Sequence, residues 1–387
     1  MCNNRQKICI VATLPFPLIM FMMPHITMLS KYYDVTLISN GSEQDFPNLF
    51  NENVQFISVD IARKVSLWLD ILALFKLYKI FRSKRFVVVH SIMPKTALLA
   101  MLAAFVARVP NRIHTFTGQV WANKEGATLL VLKMLDRIVA NCATGLITDS
   151  FSQRKFLITQ HIVDKNKIVV LGNGSVCGVD TQRFNPNFTV GNEIRTKLGI
   201  PNNDIIYLFL GRLNKDKGIL DLALAFTKLA INMPHVHLLV VGPDEEGMDV
   251  MLKSVLAKCL RQFHRIGFTN KPEDYMASAN IFCLPSYREG FGSVLIEAAS
   301  VGLPAVASRI YGITDAVVDG ETGILHQPKN IEEIKRALLR LTIDTNLRQK
   351  MSKQAIVRAH KYFSSKIVVA AMHDYYQKLL NKKINLK

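Results

Sequence analysis

Several things are missing from this 387-residue chain, and each absence excludes something. It has no run of about 20 apolar residues, the length a membrane-spanning helix requires; the longest apolar segments are 97–107, flanked by Lys95 and Arg108, and 18–29, broken by Pro24 and His25. The first reads as a core helix, and the second is too broken to span a bilayer but could touch a lipid face. Its six cysteines include no Cys-x-x-Cys pair, so neither a zinc site nor a disulfide framework is indicated, and a reducing cytosol fits best. There is no Asp-x-Asp, no internal repeat, no low-complexity tract and no block of five or six like charges. Arg5 and Lys7 lead straight into a short apolar run stopped by Pro15 and Pro17, which reads as a first strand rather than a signal peptide, so the protein is expected to stay where it is made.

What is present is a hydrophobic content of 49% and a large excess of base. The length suggests two or three domains, and that much apolar side chain excludes a disordered chain. With 48 Lys and Arg against 30 Asp and Glu, the formal charge is +18. A nucleic acid, a membrane surface or a phosphorylated substrate would each suit such a charge, and composition does not choose among them.

Short β-branched runs at 7–12, 35–39, 55–59, 86–90, 112–115, 145–148 and 167–171 alternate with segments of helical period. Strands that are apolar on both sides and separated by helices indicate a parallel sheet covered on both faces. A turn-rich stretch at 172–192 follows, and then the rhythm restarts, with strands at 205–210, 237–241, 281–284 and 305–307 and helices near 219–231, 249–259, 293–301, 331–341 and 347–360. The expected fold class is α/β, with two Rossmann-like doubly wound domains facing across a cleft: residues 1–175 on the acceptor side, a linker at 176–192, and a nucleotide-binding domain at 193–365. Residues 366–387 form a terminal helix that can cross back to the first domain. Sheets of this kind bind ligands at the carboxyl ends of their strands.

Two motifs in the second half carry chemistry. Glu289 and Glu297 bracket Gly290, Phe291, Gly292 and Ser293 after a strand ending in Leu284-Pro285-Ser286. Two glycines and a helix N-terminus capped by Ser293 make an anion site, although an isolated pair of this spacing also describes a capped helix with a solvated glutamate. Gly211-Arg212-Leu213-Asn214-Lys215-Asp216-Lys217-Gly218 follows the strand at 205–210, and a glycine turn with Arg212 and Lys217 describes a diphosphate grip. Lys215, earlier in that loop, is the weaker candidate.

Over 139–325 the order Thr148-Asp149-Ser150, Gly178-Val179-Asp180, Gly211-Arg212, Lys217-Gly218, Val241-Gly242, Leu284-Pro285-Ser286, Glu289 to Glu297, Gly302-Leu303-Pro304 and Asp319-Gly320 resembles the retaining, nucleotide-sugar-dependent glycosyltransferases of family 4, which have the GT-B fold. The resemblance implies that Arg212 and Lys217 hold the donor diphosphate, Glu289 the transferred sugar and Glu297 the ribose. Backbone near Gly267 and Phe268 would meet the base. A closer similarity, over Ile113-His114 to Trp121 and Leu171 to Ser175, is to bacterial capsule and O-antigen transferases that extend an undecaprenyl-diphosphate-linked sugar. It implies transfer of an N-acetylated sugar, UDP-N-acetylgalactosamine favoured, with His114 near the reacting sugar and Thr117, Gly118, Asp149 and Asn173 on the acceptor side. His90, also at a strand end, is a lesser candidate. Asp149 either supports the cleft or caps the helix after Ser150. Many relatives carry a Gly-Gly pair in the first loop, whereas this chain has Thr13-Leu14-Pro15-Phe16-Pro17, an apolar loop suited to a lipid-linked acceptor. No cofactor and no metal are expected, since cations and helix amides supply the counter-charge for the leaving diphosphate.

Residues 61–124 carry eleven basic residues, Arg63 and Lys64 among them, and one acid, Asp70, a balance of 11 − 1 = +10. Trp68, Leu69, Ile71, Leu72, Phe75, Leu77, Tyr78, Ile80 and Phe81 form an apolar helix face wide enough to be core, with Lys76, Lys79 and Arg82 along one side. A basic amphipathic helix suggests peripheral docking on an anionic inner leaflet. Two further function classes remain open here: a GT-B epimerase or glycoside phosphorylase, and a non-catalytic nucleic-acid- or membrane-binding protein. No nucleic-acid reader module is evident.

Overall fold

The computed structural model describes residues 5–46, 49, 53–62 and 66–381. Arg63 and Lys64 of the basic segment, and residues 382–387 of the predicted terminal helix, lie outside them. The chain divides into two compact units: one runs to Cys177 and takes up the chain again from Ser365, and the other is Gly178–Ser364. The stretch 176–192, expected as a linker, is largely built into the second unit. Phe184 is buried there, Val179 N–H donates to the Phe363 carbonyl, and a helix starts at Phe188, capped by the Asn187 side chain.

The first unit holds a seven-stranded sheet. Its strands are β1 (Lys7–Val11), β2 (Asp34–Ser39), β3 (Val54–Ser58), β4 (Val88–Ile92), β5 (Asn111–Phe116), β6 (Gly145–Thr148) and β7 (Ile168–Val170), in the order β3-β2-β1-β4-β5-β6-β7. Every pairing is parallel, and β1 and β4 are buried almost throughout, as strands covered on both faces must be. The order reverses between β1 and β4.

Helices α1 (Pro15–Pro17) and α2 (Met23–Leu29) are joined by a π-turn over Leu18–Met22. The segment read as an apolar loop is therefore, from Pro15 on, the first turn of a helix. Proline at the first helical position loses no needed hydrogen bond and presets φ. The other helices are α3 (Leu67–Lys84), α4 (Pro94–Val106), α5 (Gly126–Cys142) and α6 (Phe151–Thr159). As expected, α4 is a core helix, with seven buried residues from Thr96 to Ala104.

Helix α3 corrects the sequence reading. Only Ala73, Leu77 and Phe81 are buried, while Trp68, Leu69, Ile71, Leu72 and Phe75 are exposed, Trp68 by 71%. The apolar residues circle the helix instead of sharing one face, so one stripe packs on the sheet and the rest is left outside. Lys76 pairs with Asp60 at 3.1 Å and Lys79 sits over the Phe75 ring.

The second unit repeats the plan with six strands: β8 (Ile205–Leu210), β9 (Val236–Val241), β10 (Phe263–Ile266), β11 (Ile281–Leu284), β12 (Ala305–Ser308) and β13 (Gly323–His326). Their order is β10-β9-β8-β11-β12-β13, all parallel. Around them lie α7 (Phe188–Leu198), α8 (Ile219–Ala230), α9 (Met248–Val255), α10 (Pro272–Ser278), α11 (Ser293–Val301), α12 (Ile313–Ala316), α13 (Ile331–Ile343) and α14 (Thr345–Phe363). Strands β10 and β13 were not anticipated; both are four-residue edge strands, Phe-His-Arg-Ile and Gly-Ile-Leu-His. The last helix, α15 (Ser365–Asn381), packs within the first unit, where Tyr376 is fully buried and its hydroxyl meets His90 Nδ1 at 2.8 Å.

Candidate active site

In a doubly wound sheet the loops leaving two adjacent strands diverge where the strand order reverses, and ligands lie in the crevice that opens. In the second unit that point falls between β8 and β11. The loop after β8 carries Arg212 and Lys217, and the loop after β11 carries Glu289 to Ser293. Lys217 Nζ and Glu289 Oε1 are 2.5 Å apart, with both side chains largely buried, and the Ser286 hydroxyl donates to the same Glu289 oxygen at 2.9 Å. The two motifs, 72 residues apart in sequence, thus form one site.

Gly218 allows this closure. Its φ is +64°, and a side chain there would drive into the Pro285 carbonyl and the Tyr287 ring. The two loops are also tied by Tyr287 N–H donating to the Asp216 carbonyl at 2.8 Å, by Arg288 with Asp216, and by the Tyr287 hydroxyl donating to Asp221. Lys215 is exposed, and its backbone N–H donates to Glu246.

The helix start differs from the expected one. Gly292, not Ser293, is the N-cap of α11, at φ 77° and ψ 59°, a left-handed conformation that glycine adopts without steric cost. Ser293 is the first helical residue, and no side chain caps the helix, so the first-turn amides are available to an anion. Gly290 and Phe291 are buried beneath this turn.

Glu297 lies one turn further along α11 and is half-buried. Burial pushes its carboxyl up to about 7; Arg183 pulls against that and Glu273 adds repulsion. Arg183 is itself held by Glu273 at 2.8 Å. On the other side of β8, Arg212 Nη1 meets both oxygens of Glu245, at 3.1 and 3.0 Å. Beyond β10, Gly267 and Phe268 are exposed, Phe268 by 67%.

Sequence reasoning missed Ser286, Arg183, Glu273 and Glu245. Ser286 stands in a quoted motif but was given no role, and it acts within its own loop, whereas Arg183, Glu273 and Glu245 act by contact across the fold; the Val241-Gly242 turn alone hinted that the loop after β9 belongs to the site.

In the first unit His114 and Ser91 are register partners on β5 and β4. His114 is buried, with Nδ1 3.1 Å from the Ser91 carbonyl and 3.0 Å from its hydroxyl. A carbonyl only accepts, so Nδ1 carries the proton and Nε2 the lone pair. Burial lowers the pKa to about 3, against a small opposing effect of the Ser91 carbonyl, so the ring is neutral.

His90 has both nitrogens engaged, with Tyr376 and with Thr115 at 2.8 Å, and reads as a clamp on α15. Asp149 does not cap α6. Ser150 does, accepting from Gln153 N–H at 3.1 Å, while the Gln153 side chain accepts from Asp149 N–H. The Asp149 carboxyl is buried, and that burial raises its pKa well above the usual carboxylate value. Thr117 touches the Met93 sulfur, Gly118 follows at φ 113°, and Asn173 is exposed in the turn after β7. Among the described residues no cluster of three or more His, Cys, Asp or Glu could hold a metal ion.

Two family descriptions match most of the chain: "Glycosyl transferases group 1" over 191–358 and "Glycosyl transferase 4-like domain" over 29–174. The capsular polysaccharide biosynthesis glycosyltransferase CapM of Staphylococcus aureus is 29% identical, over 91% of this chain and 92% of that protein. The UDP-Gal:alpha-D-GlcNAc-diphosphoundecaprenol alpha-1,3-galactosyltransferase of Escherichia coli is also 29% identical, over 85% of each. Among solved structures, the sucrose-phosphate synthase of Thermosynechococcus elongatus superposes with a TM-score of 0.81 over 98% of this chain and 100% of that one, at 19% identity. Anabaena HepE, solved with UDP and glucose, gives 0.80 over 96% and 100%, at 16% identity. The chain belongs to family 4 of the glycosyltransferases and is a glycosyltransferase of the GT-B fold.

Proposed function

We propose that the enzyme moves an N-acetylated hexose, N-acetylgalactosamine first among them, from its UDP donor to a sugar carried on undecaprenyl diphosphate, with retention, in the building of a capsule or O-antigen. The observation that carries this reading is the meeting of Lys217, Glu289 and the uncapped start of α11 at the sheet's switch point. The names of the E. coli and S. aureus relatives support the acceptor and the pathway, and the UDP bound to HepE supports the nucleotide.

The chemistry follows from where charge develops. As the sugar–phosphate bond breaks, negative charge grows on the diphosphate, and Arg212, Lys217 and the first amides of α11 stabilise it. Glu289 orients the sugar's hydroxyls and Glu297 accepts from the ribose diol. In a front-face reaction the acceptor hydroxyl bonds to the anomeric carbon on the side the diphosphate leaves, and its proton passes to the departing phosphate oxygen. With the counter-charges supplied by side chains and amides, the proposed step uses no metal, and transfer is expected to persist in EDTA. His114, neutral with Nε2 as acceptor, holds a sugar hydroxyl and does not act as a general acid.

The basic first unit is proposed to dock peripherally on an anionic inner leaflet through α3, whose outward Trp68, Ile71, Leu72 and Phe75 would enter the lipid while Lys76, Lys79 and Arg82 meet headgroups. No helix of the described residues is long and apolar enough to cross a membrane. A panel of UDP- and GDP-sugars with a polyprenyl-diphosphate monosaccharide, read by mass spectrometry, tests the reading. UDP-galactose, the donor in the E. coli relative's name, is the comparison donor. Epimerisation without acceptor, or cleavage dependent on inorganic phosphate, would favour the other GT-B reactions.

A further inference from the structure

Arg212, read as part of a diphosphate grip, already faces a carboxylate, and that carboxylate comes from the loop after β9, three residues beyond the Val241-Gly242 turn. Arg212 Nη1 lies 3.1 Å from Oε1 and 3.0 Å from Oε2 of Glu245. The carboxylate is held in place from several directions. Asn214 Nδ2 donates to Glu245 Oε2 at 3.2 Å, and Glu245 N–H donates to the Leu213 carbonyl at 3.1 Å. Leu213 N–H in turn donates to the Pro243 carbonyl at 2.8 Å, which zips the loop after β8 to the loop after β9. The β9 loop is fixed at its far side because the Asp244 carboxylate accepts from Met248 N–H and Asp249 N–H, both at 2.9 Å, at the start of α9.

Glu245 is therefore a carboxylate built into the frame and set against a cation that the loop after β8 offers to anions. Arg212 is more than half exposed, so a ligand can reach it without unfolding anything.

We propose that Glu245 is a positioning residue that competes with the donor's diphosphate for Arg212, so that binding and release of the nucleotide proceed by exchange of one anion for another on the same guanidinium. This rests on the reading above in which Arg212 meets the diphosphate. An arginine paired with a fixed carboxylate is oriented before the donor arrives. Once the diphosphate is bound, the Glu245 charge beside it is unfavourable, which weakens the hold on UDP after transfer. The resident carboxylate thus trades affinity for turnover. Glu246 provides the internal comparison: it carries the same charge one residue on, but its side chain accepts from the Lys215 backbone.

The test is calorimetric titration of the full-length protein with UDP at low ionic strength, for wild type, Glu245→Gln, Glu246→Gln, Arg212→Ala and the Arg212→Ala/Glu245→Gln double variant. Glu245→Gln is expected to bind UDP about three- to tenfold more tightly, with a lower KM for the UDP-sugar and no gain in kcat, while Glu246→Gln changes UDP binding less than twofold. In the Arg212→Ala background the Glu245 substitution should lose most of its effect, because only direct repulsion of the diphosphate remains. Unchanged or weaker UDP binding by Glu245→Gln overturns the proposal, as does an equal tightening in Glu246→Gln, which would signify charge alone. If Arg212→Ala binds UDP as well as wild type, the assignment of Arg212 to the diphosphate fails instead.

Discussion

Lys217 Nζ sits 2.5 Å from Glu289 Oε1, joining the two loops that diverge at the switch point of the second sheet. Each is the other's counter-charge, and both side chains are shielded from water. Removing Lys217 leaves Glu289 without a counter-charge, with only the Ser286 hydroxyl on its carboxylate, and removing the Glu289 charge leaves Lys217 without one, a loss on the order of 1–3 kcal/mol. Glu289→Gln and Lys217→Ala are each expected to lower turnover by about 100-fold or more, the usual loss for a group that stabilises developing charge. Steady-state transfer assays beside thermal melts check this; wild-type turnover in both folded variants would contradict it.

The proposed contact of Glu297 with the ribose implies a pH dependence. Its carboxyl is raised to about 7, first by burial and then by Glu273, against Arg183. A ribose diol bonds better to the carboxylate, so affinity for the UDP-sugar, whose diphosphate does not titrate in this range, is expected to rise from pH 6 to pH 8, and the rise should vanish in Glu297→Gln. For stability the sign is opposite. The folded protein holds this proton more tightly than the unfolded chain, so the contribution is complete below the ordinary value near 4.5 and is lost as pH climbs through 7. Calorimetric titration across that range checks the first expectation and denaturant melts the second.

His114 makes a different prediction. Burial holds its pKa at about 3, so the ring stays neutral through the working range and contributes no limb to the pH–rate profile above pH 5. Its linkage is that of a depressed group: stability is present above the unfolded value near 6.5 and is lost as pH falls toward 3. His114→Ala is expected to cut turnover with little change in UDP binding. Equal losses in both would place the residue with the nucleotide instead.

The helix α3 can be followed optically. The chain has two tryptophans; Trp121 is buried and bonded to Asp136, and Trp68 is exposed on α3. On vesicles containing phosphatidylglycerol, a blue shift of emission is expected from Trp68. Trp68→Glu and Phe75→Glu should weaken binding at any salt, whereas Lys79→Ala should weaken it chiefly at low salt, by about 1 kcal/mol per charge removed. Equal affinity for neutral and anionic vesicles would contradict the docking.

Much of this was legible in the sequence because the informative features are local. A strand running into Gly211-Arg212 and another running into Pro285-Ser286 announce loops at strand ends, and parallel topology brings such ends together. The edge strands β10 and β13 were illegible: Phe263-His264-Arg265-Ile266 and Gly323-Ile324-Leu325-His326 are too short and too polar to show a period, and pairing with β9 and β12 defines them. The face of α3 was misread because composition does not say which of its apolar residues the sheet can cover. Glu245 was missed because an acid in a turn looks solvated until its arginine is seen beside it.

The most direct test of the account is transfer itself. Purified enzyme given UDP-N-acetylgalactosamine and an undecaprenyl-diphosphate monosaccharide is predicted to release UDP and add one N-acetylhexosamine to the lipid acceptor, with the α configuration of the donor kept in the product's NMR spectrum. An inverted linkage, or no mass gain on the lipid acceptor with any UDP-sugar, would contradict it.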